Sequence, residues 1–162
     1  SVLKGKEPTK KYKKYIDDIP NHPQDGILYR DIQPLLANDT IFQQAIIDLG
    51  TLTPEIPDYW VGIESRGFLF ASALSMQFGG GIKLIRKWGK LPRVDLVHTS
   101  YQLEYGVDMI EMKEGKGTVV IVDDVYAAEK LVKEGGYSLL DKVALIDIGI
   151  AEDKIKSVIS YA

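Results

Sequence analysis

One short run of residues constrains the fold of this chain more than any other. Residues 118–122 read Thr-Val-Val-Ile-Val, and Asp123 and Asp124 follow directly. An unbroken run of mostly β-branched residues predicts a strand buried on both faces, as in the centre of a parallel sheet. Two adjacent carboxylates at the end of such a strand are costly to desolvate. We therefore expect either a solvated acidic turn or contacts with hydroxyl groups, a metal ion or a cation.

The rest of the chain alternates between strand-like and helix-like patterns. Further strands are predicted at 59–65, 81–86, 107–112 (with one solvent-exposed face), 143–150 and 156–162. Helices are predicted at 8–18, 41–49, 67–78 and 127–136. The proline-rich segment 19–34 and the aperiodic segment 87–106 are expected to be loops. This alternation predicts one α/β domain over residues 1–162, with three layers and a mostly parallel twisted sheet flanked by helices.

Composition and charge exclude several classes of protein. The chain has 20 basic and 23 acidic residues, whereas nucleic-acid and membrane-surface binders normally carry a basic excess. The absence of cysteine excludes thiol catalysis and cysteine-ligated zinc, and two histidines are too few for a histidine-rich metal site. No apolar run approaches the roughly 18 residues that span a bilayer, and the first residues do not resemble a signal peptide. We therefore expect a cytoplasmic protein that binds neither nucleic acid nor membrane.

Candidate binding residues follow three of the predicted strands. In an α/β sheet ligands bind beyond the carboxyl ends of the strands, so these three segments should share one site. Between a strand and a helix lie Glu64, Ser65 and Arg66, where backbone N–H groups and a cation suit an anion such as pyrophosphate. The next predicted strand is followed by the basic residues Arg86, Lys87, Lys90 and Arg93. Either group taken alone is also compatible with an ordinary solvated surface.

The segment 100–106 is rich in aromatic and polar side chains rather than in glycine and serine. Such a composition indicates a loop that closes over a ligand. Glu104 is a candidate proton carrier in that loop, although a loop glutamate is more commonly solvated.

Five stretches of the chain, taken together, resemble the adenine phosphoribosyltransferase family. Their order and spacing match that family over nearly the whole chain. The stretches are PQDGILYRDIQPLL (23–36), GIESRGFLFASAL (62–74), LIRKWGKLP (84–92), SYQLEYG (100–106) and VVIVDD (119–124). The resemblance implies a type I phosphoribosyltransferase fold in which residues 1–36 contribute a small hood over the site. It also implies transfer of the phosphoribosyl group of phosphoribosyl pyrophosphate to N9 of adenine, which gives AMP and pyrophosphate.

The resemblance assigns roles to individual residues. Those implied to bind pyrophosphate are Glu64, Ser65, Arg66, Arg86, Lys87 and Lys90. Those implied to bind the phosphoribosyl group are Asp123, Asp124 and Ala127. Those implied at the base are Leu28 and Arg30 for adenine binding, and Glu104 and Tyr105 for catalysis. The carboxylates of the acidic pair would also face the positive charge of an oxocarbenium-like transition state.

The same resemblance implies a cofactor and an assembly. Magnesium would bridge pyrophosphate and ribose oxygens, held mainly by substrate and water rather than by protein ligands. The peptide bond between Glu64 and Ser65 is expected to be cis, and the chain is expected to form a homodimer.

The sequence departs from the family directly after the acidic pair. The family continues with Ala-Thr-Gly-Gly-Thr, a loop whose backbone amides and hydroxyls hold the 5′-phosphate. Here Val125 and Tyr126 follow, and Ala127 leads almost at once into the predicted helix. Residues 112–118 are also several positions shorter than the family pattern.

Three interpretations stay open. In the first, the printed sequence omits residues of two exposed loops. In the second, the chain has lost its phosphate loop and serves as a non-catalytic nucleotide-sensing protein of the same fold. Alternatively, the chain is a transferase for another 6-substituted purine, because base specificity in this family depends on backbone contacts that side-chain identities report poorly.

Overall fold

Most helices and strands follow in the order that the sequence patterns predict, but the helix predicted at 8–18 is wrong over residues 11–18, which form a helical turn and the start of a strand. The computed structural model describes residues 11–103, 106–123, 125–147 and 155–160. Within these ranges, after a helical turn at 11–13, the helices are α1 (Gln33–Ala37), α2 (Asp39–Thr51), α3 (Arg66–Phe78) and α4 (Val125–Glu134). The strands are β1 (Asp17–Ile19), β2 (Tyr29–Asp31), β3 (Tyr59–Ile63), β4 (Gly81–Lys87), β5 (Leu96–Leu103), β6 (Gly106–Lys113), β7 (Thr118–Val122), β8 (Ser138–Asp147) and β9 (Lys156–Ser160). Across the described ranges, every helix is too short or too polar to cross a membrane.

Seven of these strands form one sheet in the order β5-β6-β4-β3-β7-β8-β9. The five strands β4, β3, β7, β8 and β9 run parallel, and β6 and β5 extend one side with antiparallel pairing. The chain passes from β3 to β4 in one direction and from β7 to β8 and β9 in the other. The order of strands therefore reverses between β3 and β7, which is where such sheets bind ligands.

The central strand β7 is buried on both faces, as its run of β-branched residues predicts. All four residues from Val119 to Val122 are 0% exposed. Because side chains alternate along a strand, Val120 and Val122 pack with α2 and α3, while Val119 and Ile121 pack with α4. The sheet therefore lies between two layers of helices, and the predicted three-layer α/β class is confirmed.

The N-terminal segment forms a small antiparallel sheet rather than the loop predicted for 19–34. β1 pairs with β2, with Asp18 opposite Arg30, and the peptide bond between His22 and Pro23 is cis. Short stretches such as these gain their stability from pairing across the turn, which a local pattern of prolines does not reveal.

The loop predicted for 87–106 is also partly wrong. Residues Leu96–Leu103 form the edge strand β5, which pairs along its whole length with β6. The exposed face predicted for 107–112 is wrong at its C-terminal half, because Ile110, Glu111 and Met112 are all buried between β5 and β4.

Candidate active site

Three parallel strands carry the predicted site residues to one edge of the sheet. β3 pairs with β4 on one side and with β7 on the other, so the carboxyl ends of all three lie side by side. The Glu64 N–H donates to the Ile85 carbonyl at 2.9 Å, and the Asp123 N–H donates to the Val143 carbonyl at 2.9 Å. These bonds hold both acidic residues at the strand ends and confirm that the three segments share one edge.

Two glycines allow helix α3 to begin directly against the sheet. A Cβ atom at Gly62 would lie 2.5 Å from the carbonyl oxygen of Gly67, and a Cβ atom at Gly67 would lie 3.2 Å from that of Val122. A side chain at Gly62 would therefore push the helix away from β3 and β7. This close contact brings Arg66, the first residue of α3, beside Asp123.

Arg66 and Asp123 form an ion pair with two hydrogen bonds. Arg66 Nε donates to Asp123 Oδ2 at 2.7 Å, and Arg66 Nη2 donates to Oδ1 at 3.2 Å. Asp123 is 5% exposed and has a φ of 64°, whereas the Arg66 side chain is 45% exposed. A two-bond arginine–carboxylate contact fixes both groups in orientation. The structure thus joins a residue predicted to bind ribose to one predicted to bind pyrophosphate.

A second cluster of charges surrounds Glu64, whose peptide bond to the exposed residue Ser65 is cis, as the resemblance implies. Lys90 Nζ donates to Glu64 Oε1 at 2.5 Å, the Lys87 backbone N–H donates to Oε2 at 3.0 Å, and Arg86 Nε donates to Oε2 at 3.4 Å. The Lys90 ammonium, helped by these other donors and opposed by burial, lowers the pKa of Glu64 to about 2. The carboxylate therefore stays ionised and holds Arg86, Lys87 and Lys90 at the end of β3.

A cavity of about 310 Å³ lies beside the Arg66–Asp123 pair and is lined by Leu28, Arg30, Arg66 and Ile146. Arg30 Nη1 donates to Asp18 Oδ1 at 2.7 Å, which joins the two N-terminal strands. The residues predicted to bind adenine thus line one cavity with a residue predicted to bind pyrophosphate. Sequence reasoning missed Ile146, which falls in the middle of the strand predicted at 143–150 but lies near the carboxyl end of β8 in the structure.

Several predicted site residues lie wholly or partly outside the described residues. Glu104, Tyr105 and Asp124 are outside them, and Ala127 is described only as part of the backbone of α4. The helix begins at Val125, so the backbone enters α4 one residue after the acidic pair. In sequence, only the two aspartates stand between β7 and α4.

Sequence reasoning also missed a buried carboxylate on β6. Glu111 is 0% exposed and accepts hydrogen bonds from the Gly89 N–H at 3.1 Å, from the Leu91 N–H at 3.2 Å and from the Arg93 guanidinium. Burial opposes ionisation, but Arg93 and the two N–H groups lower the pKa of Glu111 below its usual value. The sequence signal was a glutamate between Ile110 and Met112, within the apolar half of a strand.

Comparison with known proteins gives consistent matches along the chain. The family model of the phosphoribosyl transferase domain matches residues 35–128. An adenine phosphoribosyltransferase of Hydrogenovibrio crunogenus is 41% identical over 147 residues, covering 83% of this chain and 83% of its own. The corresponding protein of Carboxydothermus hydrogenoformans is 44% identical over 127 residues, covering 75% of this chain and 74% of its own.

Solved structures show the same similarity in three dimensions. The adenine phosphoribosyltransferase of Thermoanaerobacter pseudethanolicus superposes with a TM-score of 0.84 at 32% identity, covering 94% of this chain and 99% of its own. The Saccharomyces cerevisiae protein, solved with an imino-altritol bisphosphate and adenine, gives a TM-score of 0.80 at 32% identity, covering 93% of this chain and 96% of its own.

Proposed function

The chain belongs to the adenine phosphoribosyltransferase family, and we propose that it transfers the phosphoribosyl group of phosphoribosyl pyrophosphate to N9 of adenine, forming AMP and pyrophosphate. The observation that carries this proposal is the Arg66–Asp123 ion pair beside a cavity lined by Leu28 and Arg30. Arg66 is suited to bind an anion, and Asp123 is suited to bind the ribose hydroxyls. The cavity beside them has apolar and polar lining residues, which suits a purine base.

Pyrophosphate, the leaving group, would bind at the basic side of this edge. The residues proposed to hold it are Glu64, Ser65, Arg66, Arg86, Lys87 and Lys90. The cations neutralise the phosphate charges, while Glu64 orders Arg86 and Lys90 through its own carboxylate. Charge neutralisation of the leaving group lowers the barrier to breaking the bond between ribose and pyrophosphate.

The phosphoribosyl group would lie against Asp123, Asp124 and Ala127. Asp123 and Asp124 would accept hydrogen bonds from the ribose hydroxyls and face the positive charge that develops on the ribose. A carboxylate about 4 Å from unit positive charge contributes on the order of 4 kcal/mol at an effective dielectric constant near 20. Because both Asp123 oxygens contact Arg66, ribose would compete with Arg66 for this carboxylate or share it.

Adenine would occupy the cavity lined by Leu28, Arg30 and Ile146, under a hood formed by residues 1–36. Apolar side chains contact the faces of the base, and polar groups of the hood contact its edge. Glu104, with Tyr105 beside it, is proposed to carry the proton that adenine releases from N9 when the new bond forms.

Magnesium is proposed as the companion of the substrate rather than as an ion held by a protein cage. Among the residues that the structure describes, no group of three or more acidic, histidine or cysteine side chains is arranged to hold a metal ion. Asp123 and Glu64 each already contact a cation. This donor set suits an ion coordinated by pyrophosphate, ribose oxygens and water, where it would neutralise phosphate charge. Addition of EDTA should therefore abolish AMP formation, and magnesium should restore it.

The proposal extends to the setting in which the protein works. We expect a cytoplasmic homodimer whose partners are adenine, phosphoribosyl pyrophosphate, AMP and pyrophosphate, and which does not bind nucleic acid. The net charge of -3 is consistent with binding anions at a local cluster instead of along a basic surface. Light scattering at micromolar concentration would report the mass, and a monomer would contradict the expected assembly.

A second candidate function rests on the start of α4. The helix begins at Val125, and the residues that follow Asp124 lack the glycines and threonines of the loop that holds the 5′-phosphate in the family. Such a chain could bind a nucleotide without turning over substrate, as a nucleotide-sensing protein. The deciding test is AMP formation from adenine and phosphoribosyl pyrophosphate, together with calorimetric titration of AMP. Binding of AMP without turnover would favour the sensing function and contradict the enzyme.

The same assay distinguishes the base. Adenine, hypoxanthine and guanine would be compared at equal concentration with phosphoribosyl pyrophosphate. We expect nucleotide formation from adenine alone, and preference for another purine would identify a transferase of different specificity.

A further inference from the structure

A buried carboxylate on β6 contacts the residues that follow β4. Glu111 is 0% exposed on β6, where it stands opposite Arg86 of β4 and His98 of β5. Directly opposed residues on neighbouring strands point to the same face of a sheet. Burying a carboxylate costs free energy unless hydrogen-bond donors or cations pair with it. The groups that contact Glu111 therefore indicate its role in the structure.

Those contacts all reach one short segment. A single oxygen, Oε1, accepts from the backbone N–H groups of Gly89 and Leu91 at 3.1 and 3.2 Å and from the guanidinium of Arg93. The second oxygen, Oε2, is buried with no hydrogen-bond partner within the described part of the chain. In the described part of the chain, the carboxylate thus accepts hydrogen bonds through Oε1 alone, and all of them come from residues 87–93.

The same residues 87–93, which we call the basic segment, carry two of the proposed pyrophosphate-binding lysines. Lys90 contacts Glu64, and its N–H donates to the Lys87 carbonyl at 3.3 Å. Trp88 is held between Arg93, whose guanidinium lies 4.9 Å from the indole centroid, and His98, whose ring lies 5.4 Å away. Two carboxylates therefore hold the segment: Glu64 contacts Lys87 and Lys90, and Glu111 contacts its glycine, its leucine and its arginine.

We propose that Glu111 is a positioning residue, which shapes the basic segment so that Lys87 and Lys90 meet the pyrophosphate of the substrate. Three donors, one of them a cation, converge on one oxygen, and hydrogen bonds to an ionised acceptor are roughly twice as strong as neutral ones. A neutral amide in the same position keeps the shape of the side chain but weakens all three contacts. The basic segment then samples other conformations, and the lysines bind the anion less tightly.

The proposal rests on the proposed function and makes a specific kinetic prediction. In Glu111→Gln the KM for phosphoribosyl pyrophosphate rises about tenfold, while the KM for adenine and the kcat change less than about twofold. Arg93→Gln removes the same ion pair from the exposed side, so it gives the same pattern if Glu111→Gln does not fold. The matched control is Glu114→Gln, an exposed glutamate at the end of the same hairpin, which leaves both KM values unchanged.

Coupling between residues separates positioning from a merely structural role. If Glu111 acts through Lys90, then Glu111→Gln adds little to the KM of Lys90→Gln, whereas independent effects multiply. A structural role would lower the melting temperature and the active fraction without moving the KM for phosphoribosyl pyrophosphate. Multiplying effects, or an unchanged KM in both Glu111→Gln and Arg93→Gln, would overturn the proposal.

Direct titration with inorganic pyrophosphate distinguishes failure of the Glu111 proposal from failure of the proposed function. We expect wild-type protein to bind pyrophosphate and Glu111→Gln to bind it about tenfold more weakly. Equal binding by the two proteins overturns the role of Glu111 alone. A wild-type protein that neither binds pyrophosphate nor forms AMP overturns both.

Discussion

Arg66 and Lys90, two cations of the candidate site, each contact a carboxylate of the chain. Arg66 is paired with Asp123, and Lys90 is paired with Glu64. Such pairs hold long side chains in a defined geometry, so an incoming polyanion meets cations that are already aligned. At the scale of single residues, the site therefore depends on the carboxylates as much as on the cations.

Glu64 gives a prediction for stability at different pH values. Its pKa is lowered from 4.5 to about 2, so its contribution is fully present above pH 4.5 and is lost as the pH falls toward 2. We predict that Glu64→Gln lowers the free energy of unfolding at pH 7 by at most about 3 kcal/mol. The difference in the free energy of unfolding between wild type and Glu64→Gln should become smaller as the pH falls from 4.5 to 3.

Urea unfolding of both proteins at pH 7 and pH 3.5 measures this gap, with the exposed Glu55→Gln as control. A gap of the same size at both pH values would show that the loss comes from packing and not from ionisation.

The elements differ in how much of them could be predicted. β7 followed from its β-branched run, and α2 from the helix-like pattern at 41–49. The Asn38 side chain caps α2 by accepting from the Ile41 N–H at 3.0 Å. β5 did not follow, because an edge strand of mixed composition gains its stability from pairing with β6. The shared sheet edge could be predicted, but not the Arg66–Asp123 contact. That contact depends on how closely α3 approaches the sheet.

The close approach of α3 to the sheet predicts the effect of adding one methyl group at Gly62. In Gly62→Ala the new Cβ would lie 2.5 Å from a backbone oxygen of α3, so the helix must shift. We expect a loss of about 1–3 kcal/mol in the free energy of unfolding and a higher KM for phosphoribosyl pyrophosphate, as Arg66 moves from Asp123.

Denaturant unfolding and initial rates measure both effects, and Ser72→Ala on the exposed face of α3 serves as the control. Wild-type values of both quantities in Gly62→Ala would refute the proposed packing constraint.

The junction between β7 and α4 gives a second prediction at this scale. Insertion of Ala-Thr-Gly-Gly-Thr between Asp124 and Val125 supplies backbone N–H groups and hydroxyls for the 5′-phosphate. We expect the KM for phosphoribosyl pyrophosphate to fall at least about tenfold. Insertion of five alanines controls for length, and equal KM values in the two insertion variants would contradict this role for the loop.

Across the whole molecule, the fold gathers distant segments at one place. Leu28 and Arg30 come from the turn before β2 and from β2 itself, Glu64 and Asp123 follow β3 and β7, and Ile146 comes from β8. The resemblance to a family predicted most of these residues because it reports their spatial relation, which composition and periodicity cannot supply. Ile146 was missed because an apolar residue within a strand has no distinctive local pattern. Glu111 was missed because its one signal, a position between two apolar residues, does not reveal which groups it contacts.

The central claim is that this edge of the sheet transfers a phosphoribosyl group to adenine. Steady-state AMP formation from adenine and phosphoribosyl pyrophosphate, measured for wild type and for Asp123→Asn with magnesium present, tests it most directly. We predict turnover by wild type and a loss of at least about a hundredfold in kcat/KM for the variant, since about 3 kcal/mol of transition-state stabilisation is removed. No AMP from the wild-type protein, or equal rates from the two proteins, would contradict the account.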